Sequence, residues 1–384
     1  MKDNLSKNTK SIQISGIRQF YNKVANYPDA ISFTIGQPDF NVPQKIKDAM
    51  ISSIISNKTQ YTSNAGLLEL RCEICRYLMN MGIYYEPDEV CITVGGSEAL
   101  MDTFAAILNT DDKVLIPNPG YPAYASCTKI LGGRAVYYNL KDDFSIDFDN
   151  LKKIIDDEKP KAIVISYPSN PTGAVMTQYD KDKLYKVLKD RNVYIVTDEM
   201  YSSLCYKEYN SIAQMKELKS RIVTVGGFSK MFCMTGLRIG YVCAEKYIMD
   251  EIMKAHQYNV SCAPSISQYG ALKGLKSCEE DVKIMKNKFM KRRDYIFERL
   301  NSMGLDVFKP EGAFYIFPSI KKLNIKSEEF CERLLKEAGV AVVPGTAFGS
   351  AGEFHIRMSY ASSMNQLEEG MNRMERWIEK QYEK

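Results

Sequence analysis

The chain is poor in several features that would have narrowed its role at once. It has only 2 histidines and 1 tryptophan in 384 residues. Its 51 Lys and Arg nearly balance 47 Asp and Glu, and the basic residues form no stripe, so composition supplies no nucleic-acid surface. No apolar run is long enough to span a bilayer, and the opening MKDNLSKNTK lacks the apolar segment of a signal peptide. A cytoplasmic protein without membrane or nucleic-acid partners is therefore expected. No short repeat, low-complexity tract or Gly/Ser linker is present. Cysteine is not scarce, but its 10 residues are scattered through apolar surroundings such as CITV and YVCAE, as reduced and buried thiols are. The one C-x-x-C, Cys72 and Cys75, has helical spacing and neither a second pair nor a nearby His, so no metal site is expected.

What is present is alternation. Apolar β-branched runs (VCITV, KVLIP, AIVISY, NVYIVTD, RIVTVGG, IGYVCAE) alternate with amphipathic stretches such as SEALMDTFAAIL and KDKLYKVLKD. Strands apolar on consecutive positions belong to sheets covered on both faces. This predicts an α/β fold with a mostly parallel sheet between two helical layers. After about residue 285 helix and strand mix as in a smaller α+β layer. The expected division is an N-terminal arm over 1–40 joined to the small domain, a large domain over 41–284 and a small C-terminal domain over 285–384.

Four loops follow strands, where open α/β sheets hold ligands. In CITVGGSEAL, Gly95, Gly96 and Ser97 open a helix; the turn is either an anion seat, with Ser97 as cap, or an ordinary strand-to-helix connection. In SYPSNPTGAV, Asn170 is either a ligand donor on a Pro-stiffened turn or the start of an Asx turn. In VTDEMY, Asp198 is either a ligand-pairing carboxylate or a helix-starting Asp, with Tyr201 one turn on. In GGFSKMFCMTGLRIGY, Lys230 and Arg238 are either a reactive amine and a phosphate grip or two snorkelling cations. Together these loops offer anion donors, an amide, a carboxylate, a lysine and an arginine. Pyridoxal 5'-phosphate demands that set, for a Schiff base, a ring-nitrogen partner and a phosphate seat.

The same residues, with TIGQPDF, YTSNAGLLELR, NPGYPAY, PEGAFYIFP, VVPGTAFG and HIRMSYA, run in the order of the fold-type-I, class I aminotransferases, which the chain resembles nearly end to end. The resemblance implies a ping-pong transamination with pyridoxal phosphate. It implies that Lys230 holds the cofactor and moves the proton, with Asp198 on the ring nitrogen. Asn170 and Tyr201 would bind the ring oxygen, and Tyr121 would stack on the ring. Gly96, Ser97, Ser229 and Arg238 would hold the phosphate, joined by Tyr61 from a second subunit of a homodimer. Arg357 would clamp the substrate carboxylate, with Asn170 beside it and Gly36 closing over it. Where the family often has a hydroxyl residue three positions before the lysine, this chain has Gly227.

IQISGIRQF, KAHQYNVSCAPSISQ and SMGLDVFKPEGAFYIFPSIK are similar to the N-acetyl-L,L-diaminopimelate aminotransferases of bacterial lysine synthesis. That similarity implies exchange of the free amino group with 2-oxoglutarate. A broad-range aspartate or aromatic aminotransferase and a cystathionine-type C–S β-lyase are the alternatives. A cofactor-binding regulator is a third, but too few residues precede TIGQPDF for a helix-turn-helix domain. Arg18, Gln257, Tyr258 and Asn259 are candidates for the distal end of the substrate. His256 and His355 read as structural, because nothing in this chemistry requires them.

Overall fold

The apolar runs become strands. The computed structural model describes residues 4–382. Its strands are β1 (Ile31–Ser32), β2 (Val90–Thr93), β3 (Lys113–Asn118), β4 (Arg134–Asn139), β5 (Ala162–Ser166), β6 (Tyr194–Asp198), β7 (Ile222–Gly227), β8 (Gly240–Ala244), β9 (Tyr315–Ile316), β10 (Val340–Ala341), β11 (Val343–Pro344) and β12 (Ile356–Ser359).

Seven of them form one sheet in the order β2-β8-β7-β6-β5-β3-β4. Its neighbours pair in parallel except β8, which runs antiparallel to both β2 and β7. Alternate residues of each central strand enter different cores. Val114, Val164, Val196 and Val223 pack on one face with residues of the helices Gly95–Ile107 and Lys246–Asn259. Leu115, Ile163, Ile195 and Ile222 pack on the other with the helices Phe148–Glu158 and Gln178–Leu188. Each such buried aliphatic side chain contributes about 1.5–3 kcal/mol of burial, which is why these strands carry no polar alternation. The fold is a three-layer α/β arrangement. β4 was not anticipated: it is the sheet edge, and its half-exposed RAVYYN offers no continuous apolar run.

The smaller sheet has the order β11-β12-β9, and β1 pairs in parallel with β10, Ile31 opposite Val340. Phe20 and Phe33 from the N-terminal segment share one core with the helices Glu279–Ser302, Ser327–Ala338 and Met364–Tyr382. The helix Glu279–Ser302 runs through the position expected for a boundary at 284. Among the described residues, no helix is long and apolar enough to cross a membrane.

Candidate active site

Because the sheet is mostly parallel, the carboxyl ends of β2, β3, β5, β6 and β7 share one edge. β8 runs the other way, so its amino end faces that edge too. The loops carrying Gly96 and Ser97, Tyr121, Asn170, Asp198 and Lys230 leave from strand ends, and Arg238 arrives just before β8. They meet at a cavity of about 690 Å³, whose lining includes all of these together with Gly36, Tyr201, Ser229 and Arg357. Tyr61 is not in it: the residue is 87% exposed. Arg18 and Tyr21 line the mouth, whereas Gln257, Tyr258 and Asn259 are exposed and do not line the cavity.

Lys230 Nζ donates to the Gly36 carbonyl at 2.5 Å. Burial, then the charges of Arg357 and Arg238, lower its pKa to about 8. That is the setting in which a lysine becomes a nucleophile near neutral pH. Asp198 accepts from the Tyr124 hydroxyl at 2.6 Å and from the Met200 N–H at 3.1 Å. Burial pushes the Asp198 carboxyl above its ordinary range, and these donors and Lys230 pull the other way. Ser166 Oγ lies 2.9 Å from the Tyr124 oxygen and donates back to it. Tyr124 is a residue that sequence reasoning missed, although it sits in the NPGYPAY motif three positions after Tyr121. Tyr315 is another: its hydroxyl is 2.7 Å from that of Tyr201. Burial drives the Tyr201 phenol well above its usual value, so it stays protonated.

Arg357 is buried on β12, with its guanidinium 4.5 Å from the centre of the Tyr315 ring. Its two terminal nitrogens donate to Asn170 Oδ1 at 3.1 Å and to the Thr34 carbonyl at 2.5 Å. Its Nε is buried with no hydrogen-bond partner. The loop of Gly36 is held from behind: Asp39 pairs bidentately with Arg292 at 2.6 and 2.9 Å.

Ser97 does not cap its helix. The helix Gly95–Ile107 has Val94 at the cap position, and the Glu98 side chain accepts the Val94 N–H instead. Ser97 lies inside the first turn, where free N–H groups and the helix dipole favour an anion. Arg238, at φ 49°, donates to the carbonyls of Thr235 and Val94.

Gly227, where a hydroxyl was expected, has a steric explanation. It lies opposite Gly240, and a Cβ on Gly227 would sit 3.1 Å from the Gly240 Cα. A Cβ on Gly240 would sit 2.7 Å from Gly95 C and 2.9 Å from Gly96 N. The glycine turn rests on β8 backbone to backbone, and a serine at 227 would disturb that stack.

Pyridoxal phosphate fits these residues. The cavity has free N–H groups and an arginine at one place, a carboxylate pushed up by burial at another, and a lowered lysine amine. It also has an unsatisfied guanidinium nitrogen, which a substrate carboxylate can occupy. Among the described residues, the only group of three metal-ligating side chains within reach of one another is Glu98, Asp102 and His256, away from this cavity's lining. Cys72 and Cys75 are free thiols, and burial pushes Cys75 up to about 12.

The model of the family "Aminotransferase class I and II" matches residues 28–374. A probable N-acetyl-LL-diaminopimelate aminotransferase of Bacillus subtilis is 43% identical over 100% of this chain and 98% of its own. The solved aromatic aminotransferase of Pyrococcus horikoshii superposes with a TM-score of 0.90 at 39% identity, covering 94% of this chain and 99% of its own. The aspartate aminotransferase of Thermus thermophilus with maleate gives 0.93 at 31% identity, covering 97% and 99%. With the lysine, carboxylate, anion seat and arginine gathered at one sheet edge, the chain belongs to the class I and II aminotransferases, pyridoxal-phosphate-dependent enzymes that move an amino group between an amino acid and a 2-oxo acid.

Proposed function

We propose that this aminotransferase moves the free amino group of N-acetyl-L,L-diaminopimelate to 2-oxoglutarate, the two half-reactions using one cavity in turn. The observation that carries the substrate is the cavity itself. At about 690 Å³ it has room for cofactor and a long substrate together, with Arg357 inside and Arg18 at the mouth on the helix Gly16–Val24. A buried and an exposed guanidinium suit an amino acid carrying a carboxylate at each end. The likeness of IQISGIRQF and its companion segments, and the name of the Bacillus subtilis relative, support the same reading.

In this reading Lys230 holds the cofactor covalently. Its Nζ, once free, would take the proton from the substrate α-carbon. The cofactor, when bound, supplies an electron sink that makes this proton acidic. Asp198 keeps the ring nitrogen protonated, and Tyr124 keeps Asp198 ionised. Gly96, Ser97, Ser229 and Arg238 hold the phosphate, Asn170 and Tyr201 the ring oxygen, and Tyr121 the ring face. Arg357 receives the α-carboxylate with Asn170 and Gly36 beside it. Tyr61, turned outward, enters the cavity of a second copy, which makes the active unit a homodimer. The reading keeps an arm over 1–40 working with a small domain over 285–384, against a large domain over 41–284.

Ranking kcat/KM over a donor panel with 2-oxoglutarate tests the substrate. N-acetyl-L,L-diaminopimelate should lead aspartate and the aromatic amino acids by at least about tenfold, some 1.4 kcal/mol in transition-state binding. Aspartate or an aromatic donor in first place makes the enzyme broad-range. Pyruvate and a thiol released from cystathionine without any 2-oxo acid make it a β-lyase.

A further inference from the structure

His256 plays no part in the chemistry above, yet it is fully buried and every polar atom of its ring is engaged. Its Nε2 lies 2.9 Å from the Asn64 carbonyl and its Nδ1 lies 3.2 Å from Glu98 Oε1. Asp102 Oδ2, buried and without a hydrogen-bond partner, is 3.6 Å from the same Nδ1. A carbonyl only accepts, so Nε2 donates to Asn64, and two carboxyl groups face Nδ1, an arrangement that favours a proton on both ring nitrogens.

The elements it joins are two that matter. Asn64 lies in the YTSNAG loop, three residues from Tyr61. Glu98 holds the Val94 N–H with its other oxygen, and Arg238 holds the Val94 carbonyl. Val94 is the residue before Gly95, at the head of the phosphate-facing turn. Gln268 fixes the flanks of the same loop through Thr62 and the Leu67 N–H, and the Ile92 N–H of β2 holds the Ala65 carbonyl, but among the described residues it is His256 that ties the loop's middle to Glu98 at that turn.

We propose that His256 is a positioning residue: a buried cation that locks the Tyr61 loop and the Val94–Ser97 turn into one piece. The phosphate seat of one site and the tyrosine lent to the other are then set by a single ring. The proposal rests on the reading that Tyr61 reaches the partner's cofactor. Burial opposes the charge on His256, but the neighbouring Asp102, Cys91 and Glu98 outweigh it and hold the pKa at about 12.

The test is a double-mutant cycle read as the dissociation constant of pyridoxal phosphate from holoenzyme, alongside the melting temperature. Tyr61→Phe alone should weaken retention roughly tenfold or more, the scale of one charge-assisted hydrogen bond. His256→Gln should weaken it comparably or more, and Tyr61→Phe added to His256→Gln should then cost little further. A plain structural role would lower the melting temperature and leave the two effects additive, which overturns the proposal. Tyr61→Phe without effect sinks the dimer-sharing reading and this proposal with it, whereas Tyr61→Phe effective and His256→Gln silent sinks this proposal alone. If His256→Gln does not fold, nitrogen-15 histidine spectra of the wild type decide, since the chain has only 2 histidines to assign. Both ring nitrogens of His256 should stay protonated to about pH 9. A ring that loses a proton below that, or a stoichiometric metal on Nδ1, overturns it.

Discussion

Tyr124→Phe removes one oxygen and leaves the ring. Its hydroxyl is the shortest donor to Asp198, at 2.6 Å, against 3.1 Å for the Met200 N–H. A hydrogen bond to a charged acceptor contributes about 1.5–3 kcal/mol, so its loss raises the Asp198 pKa. The direction follows from which form the phenol serves: Tyr124 donates to the carboxylate, and burial already pushes Asp198 upward. Without the phenol, a larger fraction of Asp198 is protonated at any pH below the new value, and the cofactor ring nitrogen loses its ionised partner there. In kcat/KM against pH, the acid limb should move to higher pH. Well above it the variant should approach the wild type. Retention of pyridoxal phosphate should fall in the same acid range and recover as pH rises. An acid limb that stays in place, or a fall equal at all pH values, would refute the assignment of Tyr124 to the charge of Asp198 and leave it as packing.

Three other outcomes are expected. Arg357→Met removes one of the cations that lower Lys230 to about 8, so covalent capture of pyridoxal phosphate by the apoprotein should shift its midpoint to higher pH; an unchanged midpoint refutes that coupling. Gly240→Ala places a Cβ 2.7 Å from Gly95 C, so it should cost about 1–3 kcal/mol or more and weaken cofactor retention, with an unaltered thermal melt as the contrary result. Glu199 is raised from 4.5 to about 7, by burial against the hydroxyls of Ser211, Tyr209 and Thr197. The folded state thus binds this proton more tightly than the unfolded chain, and stability falls as pH rises from 4.5 to about 7; Glu199→Gln should flatten that slope in melts taken across the window.

The parts of this molecule legible in sequence are those that short-range pattern controls. β5 and β6 announce themselves because strands covered on both faces need apolar residues at every position. Lys230, Asp198, Asn170 and Arg238 stood out as candidates because each follows or precedes such a strand. β4 was missed because an edge strand is half solvated. Tyr124 and Tyr315 were missed because their partners, Asp198 and Tyr201, lie 74 and 114 residues away, and no local spacing encodes such pairs. Gly227 looked like a lost function; a Cβ there would press on Gly240 at 3.1 Å, a contact visible only once β7 and β8 are side by side. His256 was set aside because its chemistry is not transamination; its neighbours 158 and 192 residues distant give it a task.

The unpartnered Nε of Arg357 has a consequence for the mixture of amines in a cell. An amino acid brings a carboxylate, and a decarboxylated amine of the same length brings none. With such an amine in the cavity, a buried positive nitrogen still faces nothing, and sites built to hydrogen-bond a missing group reject the analogue by roughly 10⁴-fold or more. With Arg357 receiving the α-carboxylate as proposed, polyamines and biogenic amines would leave that buried N–H without an acceptor and would need no dedicated obstruction, however well their side chains match the rest of the cavity.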